Sequence, residues 1–226
     1  MSTILTILVV AVFLALAGGV GYLWLRLNET SRREALQALA ARRGWALTIV
    51  EERLGRPGVL RIAPRGGSGW TVETRRSATP SEPQHRKAQV TEFLAPEPHW
   101  ADGLLILGPA LPEGHDAAAL AQGMDTAEGR RLIAAMAGPG FAGYAPVLRL
   151  WPAPPAITVL ASSEPVPRFD LDDLAKLHAG WAGDAHGGPV IVLGRDGLRV
   201  HMATGLNRAD RMEHFIDFAL EAARIL

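Results

Sequence analysis

Seven histidines and no cysteine define the side-chain chemistry open to this 226-residue chain. Without thiols there is no disulfide, no thiolate nucleophile and no Cys-ligated zinc. The one donor set of note is His178, Asp184 and His186, two imidazoles with a carboxylate between them in sequence. A metal needs its ligands to converge. The His-Glu-x-x-His pattern, which puts two imidazoles on one helical face, is absent. His178 falls at the end of a predicted helix and His186 in a glycine-rich loop, so the expectation is no metal centre, with these three residues as the candidates. No cofactor is expected. His99 with Asp102 and His115 with Asp116 read as loop pairs. His201 is expected to face solvent beside Arg199, in a strand whose Leu198, Val200 and Met202 point inward. His214 falls on the polar side of the last helix.

Two other clusters resemble catalytic motifs and fall short of them. Gly66-Gly67-Ser68-Gly69-Trp70 has Trp where a nucleophile elbow needs its second Gly, and it lacks the Gly-Lys-Ser/Thr end of a phosphate-binding loop. It reads as a flexible strand connection. Asp170, Asp172 and Asp173 stand where a helix begins, and negative charge there complements the helix dipole. No residue is singled out as catalytic. Trp100 and Trp151, beside prolines, are candidates to line a groove or meet a partner.

The elements that would position these residues follow from periodicity. Ser31-Arg-Arg-Glu34 reads as a capping box opening a helix that ends at Gly44. Residues 45–49, 59–63 and 70–75 alternate as strands of an antiparallel meander, and 87–94 and 103–107 read as further strands. Helices are expected over 116–122, 126–137 and 170–181. The proline-rich middle places 147–151 and 156–162 as edge strands or strand ends. Residues 189–202 read as a hairpin around Arg195-Asp196. Asn207 is expected to cap a final helix, in which Met212, Phe215, Ile216, Ala219, Leu220 and Ala223 form one apolar stripe.

The first 25 residues carry no charge, and Ile4–Leu25 is long enough, at ~1.5 Å per residue, to cross a ~30 Å hydrocarbon core. Tyr22 and Trp24 sit where an interfacial belt belongs, and Arg26, Arg32 and Arg33 follow. By the positive-inside rule the N-terminus lies outside and the C-terminal part in the cytoplasm. The alternative is a cleaved signal peptide with an exported domain, using Ala15-Leu16-Ala17. Its basic leading region is missing. Ala11, Ala15 and Gly19 form a small face through which two such helices can approach in lipid, giving a homodimer. Residues 26–76 hold 11 arginines against five acids, so the basic part of a neutral chain adjoins the membrane segment. Arginine dominates the basic residues and only Lys87 and Lys176 are lysine, the composition of a GC-rich bacterial genome.

The expected fold is α+β: a single transmembrane helix, then a mainly antiparallel sheet with helices packed on one face. Residues 1–27 form the anchor and 28–226 the soluble domain, divisible into two similar subdomains at about 28–110 and 111–226. The expected function is a non-enzymatic interaction or accessory module on the bacterial inner membrane, partnered by the bilayer and by protein. The alternative is a tethered ligand-binding or hydrolytic domain with a loop-built site. Dispersed arginines, overall neutrality and the lack of a recognised module argue against nucleic acid.

Overall fold

The computed structural model describes residues 26–53, 58–67, 69–76, 89–110, 123–163, 169–181 and 188–226. The apolar segment up to Leu25, with its small face Ala11, Ala15 and Gly19, lies outside these residues. Among the described residues no helix is long and apolar enough to cross a membrane.

The chain is α+β, built on a nine-stranded antiparallel sheet. The described chain opens in a helix, α1, over 26–43. Ser31 does not open this helix as expected: helix runs unbroken from residue 26 through it. Good helix formers at Leu27, Glu29, Arg32, Arg33 and Glu34 outweigh one Asn and two hydroxyl residues, and Thr30 Oγ1 donates back to the Arg26 carbonyl at 2.9 Å from within the helix. Gly44 stops the helix with φ +70°, a conformation that side-chain-bearing residues resist. The chain then reverses into β1 (Trp45–Val50). β2 (Val59–Pro64), β3 (Thr71–Arg76) and β4 (Gln89–Ala95) complete the meander. β5 (Leu105–Pro109) leads through α2 (Ala127–Ala137) and a 3-10 helix (Pro139–Val147) to β6 (Arg149–Trp151) and β7 (Ile157–Ala161). α3 (Leu171–Ala179), the hairpin β8 (Val190–Gly194) and β9 (Gly197–Met202), and α4 (Ala209–Ile225) finish the fold.

The strand order is β1-β2-β3-β4-β9-β8-β5-β7-β6. The late β8–β9 hairpin is thus inserted between β4 and β5. Of the two proline-flanked segments only β6 is an edge; β7 is enclosed between β5 and β6. Proline does not exclude it from there, because Pro154 and Pro155 precede the strand and Pro165 and Pro167 follow it, leaving Ile157–Ala161 free to donate.

Register puts one apolar row across all nine strands: Leu47, Ile62, Val72, Phe93, Val200, Ile191, Leu107, Val159 and Trp151. These residues share a core with Leu36 and Leu39 of α1, Leu174 of α3 and Met212, Phe215 and Ile216 of α4. Arg42 and Arg43 tie α1 to Glu213 and Asp217 on α4. The next row, offset by one residue and so facing the other way, runs Thr71, Leu94, Arg199, Val192, Ile106, Leu160 and Leu150. Its apolar half packs with Ile133 and Ala137 of α2, and Ala145 and Leu148, into a second core.

Helices therefore cover both faces of the sheet, not one. β5, β7 and β8 are apolar at consecutive positions, and strands of that kind need cover on each side. β3, β4 and β9 alternate instead, so the helical cover of the second face stops beside Arg199.

Candidate functional site

At that boundary the second face opens into a groove of about 1010 Å³. Thr71, Leu94, Arg199 and Val192, side by side on four successive strands, form its floor. Phe141, Tyr144 and Val147 of the 3-10 helix make one wall, and Gly67, Gly69 and Trp70 line the opposite side. Asp102 and Gly103, between β4 and β5, and Arg195 and Asp196, in the β8–β9 turn, close the end. Tyr144 is 48% exposed and Val147 51%, placing them among the few large apolar side chains open to solvent among the described residues. The wall stands where it does because Pro139 starts the 3-10 helix directly after Gly138, and its Ala145 is buried in the second core.

Arg199 is held from two sides. Its guanidinium carbon lies 5.1 Å from the centre of the Phe141 ring, and its Nη1 is 3.5 Å from Glu92 Oε1. Glu92 is only 6% exposed and sits on the strand beside it. Arg75 Nη2 donates to Glu92 Oε2 at 2.6 Å, and His201, directly opposite Glu92 on β9, brings Nδ1 to 3.5 Å from Oε1. His201, followed by Arg75 and Arg199, holds the Glu92 carboxyl below its usual range, although burial alone would push it up. One buried carboxylate thus serves two guanidiniums and an imidazole. The row continues outward with Glu73, which Arg61 pairs.

His201 is buried, against the expectation of a solvent-facing side chain. It does point away from the first core, as its alternation with Val200 requires. The second face, however, is closed there by its own ion-pair network. Nothing in the sequence marks Glu92 and Arg199 as partners, because each is one charged residue in an alternating strand. Only the β4–β9 register, between segments about a hundred residues apart, makes them neighbours.

The metal candidates do not gather. His178 is buried on α3, edge-on to Phe218 with ring centroids 5.2 Å apart. Burial pushes its pKa down to about 4, so the imidazole is neutral. Asp184 and His186 lie outside the described residues. Among the described residues no group of three His, Asp or Glu side chains is placed to hold a metal ion. Asp170 is the N-cap of α3, accepting from the Asp173 N–H at 3.0 Å, and Asp172 and Asp173 fill the first turn. Asn207 does not cap α4; Arg208 takes that position, with no side-chain cap, and its guanidinium pairs with Asp210. Gly67 and Gly69 do form a strand connection, with φ +73° and +114°. Trp100 is buried against Phe169 and Trp151 belongs to β6, so neither lines the groove. His115 lies outside the described residues.

Ser162 is the serine in the groove lining, and its Oγ accepts from the Leu104 N–H at 2.8 Å. No histidine is among the described lining residues to activate it. The groove can therefore offer an aromatic wall, an apolar floor and a fixed guanidinium. Comparison with family models, curated proteins and solved structures finds no match to the chain.

Proposed function

We propose that this chain is a membrane-anchored, non-enzymatic interaction module whose partner-binding surface is the groove beside Arg199. The observation that carries the reading is the position of that groove relative to the start of α1. β1 runs back along α1, and Arg33 of α1 meets Glu51, just beyond β1, at 3.1 Å. The β1–β2 connection is therefore at the end of the sheet where the chain enters. The groove is built from the β2–β3, β4–β5 and β8–β9 connections at the opposite end. An 18-residue helix over 26–43 spans about 27 Å, so α1 sets the binding surface roughly that far from its own start. The predicted membrane segment precedes that start in sequence, and the helix is mostly exposed as far as Ala35, with only Asn28 and Arg33 half-buried, in the manner of a stalk. A surface held out from the bilayer, walled by exposed aromatic and aliphatic side chains, suits a protein partner in the aqueous phase. The arginines at 26, 32 and 33 favour the bacterial cytoplasm as that phase.

Site-specific photocrosslinking in native membranes tests this. A benzophenone side chain at Tyr144 or Val147 is expected to give a discrete protein adduct. One at Val50, exposed at the other end of the sheet, is not. No adduct from the groove, or the same adduct from all three positions, would overturn the proposal.

A further inference from the structure

Resting on that reading of the groove, we infer that its occupant is an extended peptide segment carrying a single carboxylate, received by Arg199 between apolar neighbours. The charge arrangement under the floor carries the inference. Glu92 is one carboxylate facing Arg75, Arg199 and His201. Arg75 takes the short contact, leaving Arg199 only the 3.5 Å approach. Arg199 is therefore oriented by Glu92 and by the Phe141 ring without being fully neutralised. Its planar fork can still accept a carboxylate through two parallel N–H bonds. Strong binding of this kind needs a partly dry setting, and Leu94 and Val192 on either side, with Phe141 above, supply it.

The same groove disfavours a polyanion. Asp102 and Asp196 outnumber Arg195 at its closed end, so a run of further negative charges along the ligand would meet a net like charge there. Nucleic acid and acidic runs fit poorly. A lone Asp or Glu flanked by apolar residues fits well.

Full-length chain in nanodiscs, applied to an immobilised library of extended hexapeptides, tests the inference. One position of each peptide is fixed as Asp, Glu, Asn or Gln, and the flanking positions are apolar. Carboxylate-bearing members should be retained at least 10-fold better than their amide isosteres. Arg199→Gln should abolish the preference, and Arg199→Lys should recover only part of it. Leu94→Glu, which puts a carboxylate directly opposite Arg199, should occupy the guanidinium internally and abolish the preference with Arg199 intact. Far-UV circular dichroism establishes that each variant is folded. Retention without a carboxylate preference, a preference unchanged in Arg199→Gln, retention of a single-stranded oligonucleotide instead, or no retention would each overturn the inference. The groove itself is judged separately, by the Tyr144 crosslinks.

Discussion

His178 is a titratable side chain whose role is structural, and its titration should be visible in stability. It packs from α3 against Phe218 of α4, and a Cβ placed on Gly188 would come within 3.8 Å of its Nδ1. Burial lowers its pKa from 6.5 to about 4. Between those values the unfolded chain binds a proton that the folded chain refuses. The contribution of neutral His178 is therefore complete above about pH 6.5 and is lost as pH falls toward 4. At about 1.4 kcal/mol per unit the loss is about 3 kcal/mol. Urea unfolding of the detergent-solubilised chain at pH 7.5 and pH 5 should show the midpoint fall, whereas His178→Leu should flatten the dependence over this interval. Equal slopes for the two proteins would exclude His178 as the cause. Glu92 acts in a separate window. Its folded-state pKa is lowered, so its contribution is present above about pH 4.5 and is lost only at greater acidity. Its pairing with Arg75 and Arg199 is thus in place across the pH 7.5 to 5 comparison.

At the scale of elements, the β8–β9 hairpin decides the groove, because it supplies Arg199, Val192 and the turn that closes the end. Gly197 makes that hairpin fit. It has φ +105°, and a Cβ there would come within 2.1 Å of the Ala95 carbonyl oxygen and 2.8 Å of the Pro96 Cα. Gly197→Ala therefore combines a disfavoured backbone conformation with a clash against main chain that cannot rotate away. A loss of about 3 kcal/mol or more is expected in denaturant unfolding; a change under about 1 kcal/mol would mean that β4 and β9 are not this close. The hairpin itself was legible in sequence, since Val190–Leu193 and Leu198–Met202 flank two turn residues between glycines. The α4 stripe was legible for a similar reason: its buried Met212, Phe215, Ile216 and Ala219 follow helical spacing. Pairing between β4 and β9 was not legible, because no local pattern specifies which distant strand completes a sheet. The burial of His201 and the Glu92 network were hidden with it. The two-sided cover was partly written in Leu105-Ile106-Leu107 and Val190–Leu193, apolar without alternation. The expectation of helices on one face overlooked what such runs demand.

Across the whole molecule, the separation between chain entry and groove converts a question about orientation into a labelling experiment. The sheet is oriented by α1, and in the proposed reading the apolar sequence up to Leu25 anchors the chain ahead of it. Whichever side of the bilayer receives residue 26 also receives the groove. Arginines at 26, 32 and 33, with none before the segment, favour the cytoplasmic side. The chain has no cysteine, so a single introduced thiol is an unambiguous probe. Tyr144→Cys, on the exposed groove wall, should react with a membrane-impermeant maleimide in inverted inner-membrane vesicles and stay unreacted in right-side-out vesicles. Ser2→Cys, ahead of the apolar segment, should show the reverse. Labelling of Tyr144→Cys from the outer side would reverse the orientation and move the partner to the exported compartment. Recovery of a soluble protein lacking residue 2 would instead establish cleavage of the segment. In either case the groove keeps its geometry, since Arg199, Phe141 and Glu92 are fixed by the sheet and the 3-10 helix and owe nothing to the membrane.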